Sequence, residues 1–218
     1  MINKNITELK KLVIEYTLHV ESMLSGSLQG VFDRQSDPLK QIIEEAERAA
    51  NIMDLSIEDM AINTIAKFQP VATNLRLIVG MLKMSNSLER IGDHCVNIAQ
   101  SGLFLNEQPQ LKPFIDLPKM KDSVMQMLCE ASKALLELDS GAARAIYEMD
   151  DIVDNYQRAI KADLIGYMEK DAKNIRRSIE LLNISGNLER IADLITNICE
   201  DIIYIKDGVV ARHQGKKI

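Results

Sequence analysis

Two copies of an acidic motif are the residues in this sequence best suited to chemistry. The pattern E-R-I-[GA]-D-x-x-x-N-I begins at Glu89 and again at Glu189, and it places a second acid four residues later, at Asp93 and at Asp193. Residues four apart share one face of an α-helix, and two carboxylates in that relation repel by about a few tenths of a kcal/mol unless a positive charge lies between them. That charge would be an arginine or a metal ion.

A third acidic pair lies before the second copy of the motif. Asp150 and Asp154 fall on the predicted helix that precedes the helix of the second copy. If these helices are antiparallel, the four carboxylates converge, and facing helices of a bundle are where carboxylate sites for hard or borderline cations are built. The alternative is a solvated acidic face balanced by arginines, which is the commoner outcome for charge runs. Arg90 and Arg190 are the candidate partners, although they point about 100° away from the preceding glutamates.

The motif belongs to a longer internal repeat. Residues 76–98 align without a gap on residues 176–198, with ten identities in 23 positions, where unrelated helices would share roughly one or two. Other acidic pairs at this spacing occur in the chain about as often as chance would give, so the information lies in the repetition with matching neighbours. A fixed offset of 100 residues marks a duplicated structural unit.

Each unit contains three helical segments, so we predict an all-α fold of two tandem repeated three-helix bundles with six long helices. The predicted helices cover roughly residues 5–32, 38–67, 70–105, 118–138, 142–169 and 171–206. No segment shows the two-residue alternation of a strand. Three prolines between 106 and 118 stop helix propagation, and we place the boundary there, with 1–108 as the first three-helix bundle and 109–218 as the second.

Local signals predict how several helices begin. Asp37 is expected to cap the second helix with Pro38 in its first position, Pro70 to open the third, and Asp171 to cap the sixth. Asp139 belongs to a turn before the fifth helix. The apolar positions that predict the second helix are Leu39, Ile42, Ala46, Ala49, Ile52 and Leu55.

Composition excludes several classes of protein. The net charge is −6 and the one basic run, from Arg212 to Lys217, is at the extreme C-terminus, where we expect a frayed tail; a nucleic-acid partner is therefore not expected. The three cysteines form no C-x-x-C, which fits a reducing compartment. Charged residues among the first fifteen positions interrupt any apolar region of a signal peptide. No apolar stretch approaches the roughly 20 residues of a membrane span. We expect a soluble cytoplasmic protein without membrane insertion.

The sequence offers no defensible nucleophile and base, so we predict no catalytic residue and no enzyme. Phosphate-binding loops, dinucleotide-binding loops, zinc-protease helices and nucleophile elbows are absent, and no Glu-x-x-His pair supports a di-iron oxidase. His94, beside Asp93, is either a metal ligand or a capped surface histidine, and the second interpretation is favoured. His19 lies among apolar residues, and Cys95 and Cys199 occupy unequal repeat positions, so all three are interpreted as structural.

The segment L-E-R-I-G-D-H-x-x-N-I-A at 88–99, together with its second copy, resembles the signature of the PhoU family, and Q-P-V-A-T-N-L-R at 69–76 resembles that family's P-x-A-x-D-L-R segment, with Asn74 where Asp is usual. The resemblance covers nearly the whole chain. It implies two three-helix bundles side by side and a negative regulator of the phosphate-starvation response. It also implies two partners, the ATPase of the Pst phosphate ABC transporter and a sensor histidine kinase.

The resemblance further implies iron or zinc bound by paired E/D-x-x-x-D motifs. In the second bundle the set is complete, with Asp150, Asp154, Glu189 and Asp193. In the first bundle Glu89 and Asp93 pair with Glu47, but Asn51 replaces the expected acid, and Asp54 is the candidate replacement. Carboxylate faces bridged by metal would also permit a homodimer.

Three functions remain open from the sequence. The first is a signalling adaptor without catalysis. The second is a metal-carboxylate hydrolase or oxidase in a helical bundle, which would need a histidine or another base at the cluster. The third is a plain helical scaffold whose acids are only a solvated surface.

Overall fold

The structure, a computed structural model, describes residues 2–209 and is built from helices. A π-helical turn at Ile42–Ala46 joins α2 to α3, and a 3-10 turn at Ala172–Asn174 precedes α8. Within residues 2–209 there is no strand, so the all-α prediction is confirmed. The helices are α1 Ile2–Phe32, α2 Ser36–Gln41, α3 Glu47–Phe68, α4 Ala72–Asn106, α5 Asp116–Glu137, α6 Ser140–Ala145, α7 Tyr147–Lys170 and α8 Ile175–Asp207.

These helices form six continuous rods, as the sequence predicted. The residues at both ends of the π turn keep right-handed helical dihedrals, so α2 and α3 make one rod. Ile146, between α6 and α7, is also right-handed, with φ −67° and ψ −26°. The first bundle is therefore α1, α2–α3 and α4, and the second is α5, α6–α7 and α8.

Two predicted helix starts are wrong. The second rod begins at Ser36 with Gln35 as its N-cap, because Arg34 adopts a left-handed φ of 54° and turns the chain before Asp37 is reached. The third rod begins at Ala72 rather than at Pro70. Gln69 ends α3 in a left-handed conformation, and the chain then needs the extended residues 70–71 before a new helix can start.

Asp171 caps as predicted, and Asp139, predicted only as part of a turn, is a cap as well. The Asp139 side chain accepts hydrogen bonds from the backbone N–H groups of Gly141 (2.8 Å) and Ala142 (3.0 Å), and thereby caps α6. Asp171 accepts from the N–H of Lys173 at 2.9 Å and caps the turn that leads into α8. Both side chains satisfy backbone donors that a helix leaves unpaired at its start.

The buried face of the second rod uses other positions than the predicted stripe. Leu39 and Ile42 are buried, but the buried positions of α3 are Ala50, Ile57, Ala61 and Thr64. The predicted stripe advances mostly in steps of three residues, and each such step drifts by about 60° around an α-helix. Ile52 and Leu55 lie about 140° and 160° around α3 from the buried Ile57, and they are in solvent with 60% and 63% exposure.

The two bundles are joined by a continuous core. α4 packs along α8, and α1 contacts α5, so buried residues of both bundles form one cluster. The chain passes between bundles in the connection after Asn106 and before Asp116, which contains the predicted 108/109 division; the division itself stays a prediction. None of the helices within residues 2–209 is long and apolar enough to cross a membrane. The basic run from Arg212 to Lys217 lies outside the described residues.

Gly102 lies where α4 approaches α1 and α2 most closely, and it provides a test of this packing. A Cβ there would be 2.6 Å from Val31 Cγ2 and 3.0 Å from Leu39 Cδ1, both buried. Crowding of this kind lowers the free energy of unfolding by about 1–3 kcal/mol. The better helix propensity of alanine raises it by at most about 1 kcal/mol. We expect Gly102→Ala to lower the free energy of unfolding by about 1 kcal/mol in urea denaturation.

Gly186→Ala is the matched control. A Cβ at Gly186 meets no other atom within 4 Å, so only helix propensity acts and the variant should gain up to about 1 kcal/mol. Equal stabilisation of both variants would contradict the close approach at Gly102.

Candidate functional site

The structure brings the four predicted carboxylates of the second bundle into electrostatic contact. Asp150 and Asp154 lie on α7, which packs against α8 and its Glu189 and Asp193. Burial raises the pKa of Asp150 to about 6, and the charges of Asp193 and Asp154 contribute next. These four residues are called the second cluster below.

The carboxylates of the second cluster have raised pKa values and no salt-bridge partner among the described residues. Burial and the charges of Asp193 and Asp154 raise the pKa of Glu189, and Arg190 opposes them. Burial and Asp154 likewise raise the pKa of Asp193. Across residues 2–209 neither the four carboxylates nor Arg90 and Arg190 form a salt bridge. The arginines therefore act on the motif without a direct ion pair, and the choice between a cation site and an arginine-balanced face stays a prediction.

The two bundles can be aligned through their buried positions. Ala50, Ile57 and Ala61 of α3 repeat the spacing of Val153, Ile160 and Leu164 of α7. The implied offset matches Glu47 with Asp150 and Asn51 with Asp154, as the family resemblance implied. Asp54 then corresponds to Gln157.

The first cluster consists of Asp54, Glu89 and Asp93. Burial raises the pKa of Glu89, and the charges that follow are those of Asp93 and Asp54. Glu47, the predicted ligand from α3, is not among the charges that act on Glu89. Asp54 also accepts a hydrogen bond of 2.6 Å from the Ser85 hydroxyl of α4. Asp54, nearly one turn beyond Asn51 along α3, is therefore a carboxylate of α3 whose charge acts on Glu89, and its role as the replacement ligand stays a prediction.

Tyr16 of α1 is a member of the first cluster that sequence reasoning missed. Its side chain is fully buried, and its hydroxyl has no hydrogen-bond partner among residues 2–209. Burial raises the pKa of the phenol, and Asp54, Glu89 and Asp93 raise it further. In the sequence Tyr16 is only one of several regularly spaced apolar positions, and no local signal distinguishes it from a core residue.

The chemistry of both clusters suits hard or borderline cations, but their placement does not complete a ligand set. Carboxylate oxygens are the expected donors for such ions. In the part of the chain that the structure describes, however, no three His, Cys, Asp or Glu side chains are arranged to hold a metal ion. The carboxylates are close enough to repel, and they do not surround a common point.

The histidines in the described residues serve packing rather than ligation. His94 Nδ1 lies 2.7 Å from the Asn187 side-chain oxygen, across the contact between α4 and α8, and burial is the main cause that lowers its pKa. It is an interface residue, not the surface histidine favoured from the sequence. His19 Nε2 lies 2.8 Å from the carbonyl oxygen of Ala46 in the π turn, as expected for a structural role.

The two core cysteines are also structural. Cys95 and Cys199 are buried, and burial raises the pKa of both thiols, that of Cys199 to about 12. A thiol that stays protonated is a poor nucleophile and a poor metal ligand.

Comparison with known proteins relates both bundles to one family. The PhoU domain family matches residues 13–102 and 117–202, one match in each bundle. The phosphate-specific transport system accessory protein PhoU of Escherichia coli (strain K12) is 33% identical over 196 residues, which cover 90% of this chain and 81% of that protein. The PhoU homolog of Aquifex aeolicus is 30% identical over 214 residues, 98% of this chain and 96% of that protein.

A solved structure shares the fold. The crystal structure of PhoU from Pseudomonas aeruginosa superposes with a TM-score of 0.92 and 26% identity, and it covers 96% of this chain and 100% of that one. The prediction of two repeated three-helix bundles is confirmed by this match.

The charge repulsion in the second cluster predicts a pH-dependent gain from Asp150→Asn. A carboxyl whose folded pKa is raised binds its proton more tightly in the folded chain, so stability is present at low pH and is lost as the pH rises through about 6. Allowing for solvent screening of this partly exposed group, the variant should stabilise the metal-free protein by about 1 kcal/mol near pH 7.5. Urea unfolding in EDTA measures the gain, which should vanish towards roughly pH 4.

Asp122→Asn is the control, because the Asp122 side chain is 73% exposed on α5 and should show no such pH-dependent gain. A gain for Asp150→Asn that does not change with pH would contradict the proposed repulsion.

Proposed function

The chain belongs to the PhoU family, and from this premise we propose that it is a negative regulator of the phosphate-starvation response. The observation that carries the proposal is the double family match, one in each bundle, with both signature copies on the central helices α4 and α8. The relatives from Escherichia coli and Aquifex aeolicus are named as phosphate-specific transport system accessory proteins.

In this proposal the protein is a cytoplasmic adaptor between two partners. It would contact the ATPase of the Pst phosphate transporter and a sensor histidine kinase, and would restrain both when phosphate is abundant. Long helices with exposed acidic residues on their outer faces supply surface for such contacts. Within residues 2–209 neither histidine is a free base, since His94 and His19 are engaged with Asn187 and Ala46. That arrangement supports an adaptor over a hydrolase or oxidase.

We also propose that the second cluster binds a cation such as iron or zinc. Support comes from the raised pKa values of Asp150, Glu189 and Asp193, which burial and then the neighbouring carboxylates cause, since a bound cation would offset that repulsion. Binding would require the side chains to rotate towards a common point. In the first bundle Glu89 and Asp93 would bind together with Asp54, a better placed partner than Glu47. A cation shared between carboxylate faces of two copies would produce a homodimer.

Deletion of the gene tests the regulatory role. A deletion strain grown in high phosphate should show alkaline phosphatase activity several-fold above that of the parent, because the restraint on the starvation response is lost. A strain complemented with the wild-type gene should return to the parental level. Unchanged activity in the deletion strain would contradict the proposed function and leave the fold intact.

Metal analysis tests the cation proposal. Protein purified without chelator should contain iron or zinc by plasma mass spectrometry, and Asp150→Asn/Glu189→Gln should lose the share bound by the second bundle. Asp122→Asn controls for the change in charge. Sedimentation velocity with and without EDTA on the same samples tests the dimer. Metal-free wild-type protein would instead favour a plain helical surface at this cluster.

A further inference from the structure

The outer face of α3 carries apolar side chains that the fold leaves in solvent. Ile52, Leu55 and Ile62 are between 53% and 63% exposed. Their positions follow helical spacing, with Asp59 between the second and the third, so they form one stripe along the helix. We call these three side chains the α3 ridge. They lie on the side of α3 away from Ile57, which is buried.

The α3 ridge has no counterpart in the second bundle. The burial pattern aligns Ile52 with Asn155 and Leu55 with Arg158, and only Ile62 has an apolar equivalent, Ile165. The two bundles share a fold and a motif but differ on this surface. The three-helix fold does not require this apolar stripe, because the second bundle forms the same arrangement of helices without it.

The acidic residues of α3 determine which kind of partner can bind to the ridge. Between Arg48 and Lys67 the helix carries Asp54, Glu58 and Asp59 and no basic residue. Two copies of this face packed symmetrically would bring carboxylates together, which is unfavourable. An anionic membrane surface would be repelled for the same reason. A cationic partner is the complementary one.

A cleft beside the ridge can receive a cationic side chain. The cleft has a volume of about 700 Å³ and is lined by Asp54 and Glu58 of α3, Glu200 of α8, and Lys83 and Arg90 of α4. Lys83 is already engaged, at 3.8 Å from Asp201 and 5.0 Å from the Tyr204 ring centroid. Its charge is therefore largely compensated, and Arg90, the other basic side chain of the cleft, acts on Glu89. Three carboxylates face these two basic groups, and two of the three lie on the same helix as the ridge.

We propose that the α3 ridge and the adjoining cleft dock a cationic amphipathic segment of a partner protein. The apolar side chains of the segment lie on Ile52, Leu55 and Ile62, and a lysine or arginine enters the cleft near Asp54 and Glu58. This inference rests on the proposed adaptor function, for which it names the contact surface and the chemistry of the partner.

A labelled model peptide tests the surface directly. The probe is a fluorescein-labelled amphipathic helix of about 14 leucine and lysine residues, measured by fluorescence anisotropy in about 0.15 M salt. We expect Leu55→Ser/Ile62→Ser to weaken its binding at least about tenfold and Glu58→Gln to weaken it about threefold. Because these side chains are exposed, the melting temperature and circular dichroism of the variants should match the wild type.

Two matched controls decide whether the effect is local. Ile165→Ser removes the equivalent apolar side chain in the second bundle, and Asp122→Asn removes one exposed acid elsewhere; each should change binding less than about twofold. If Asp122→Asn weakens binding as much as Glu58→Gln, the peptide senses only net charge and the inference is overturned. A wild-type dimer that the ridge variant abolishes would also overturn it, because a second copy would then be the occupant.

A measurement in cells distinguishes failure of the docking surface from failure of the proposed regulatory function. In the deletion strain, the Leu55→Ser/Ile62→Ser variant should fail to restore repression of alkaline phosphatase, while Ile165→Ser should restore it. If deletion raises the activity but the ridge variant represses fully, the adaptor function stands and the docking surface falls. If deletion has no effect, the proposed function fails, and the peptide measurements alone decide whether the ridge binds a cationic segment.

Discussion

The packing of α4 along α8 is the constraint on which the rest of the molecule depends. Each helix belongs to its own bundle and also to the contact between bundles, so each is buried over much of its circumference. A helix in that position has only a narrow strip left for polar side chains. On both helices this strip carries the acidic motif, which is thereby turned towards the neighbouring helix of its own bundle. The duplicated motif and the duplicated fold follow from one arrangement.

The two carboxylate clusters lie at equivalent places in the two bundles but are built from partly different residues. In the second bundle burial and the neighbouring acids raise the pKa of Asp150 to about 6. In the first bundle position 51 is Asn, and Asp54, from a different position on α3, acts on Glu89. The buried hydroxyl of Tyr16 then lies within the field of that cluster. The two sites keep a similar charge while using different residues.

The side of α3 that packs inward decides the surface of the first bundle. Ala50, Ile57 and Ala61 are buried, so Ile52 and Leu55, far around the helix from Ile57, are exposed. Asp54 of the same helix accepts a hydrogen bond from Ser85 and acts on Glu89. One helix therefore contributes to the core, to the first cluster and to the exposed ridge.

The sequence by itself determined the helices, the repeat and the identity of the acidic motifs. Hydrophobic spacing, prolines and capping aspartates are local signals, and Asp171 caps its turn as predicted. Other features depend on contacts between distant residues, and no local pattern encodes them. The tertiary structure alone decided that Asp54 rather than Glu47 acts on Glu89, and that His94 bonds Asn187 across the bundles. It also decided that Ile52 and Leu55 face water, because the side of a helix that is buried depends on the helices that pack against it, and α3 buries the side of Ile57 and Ala61.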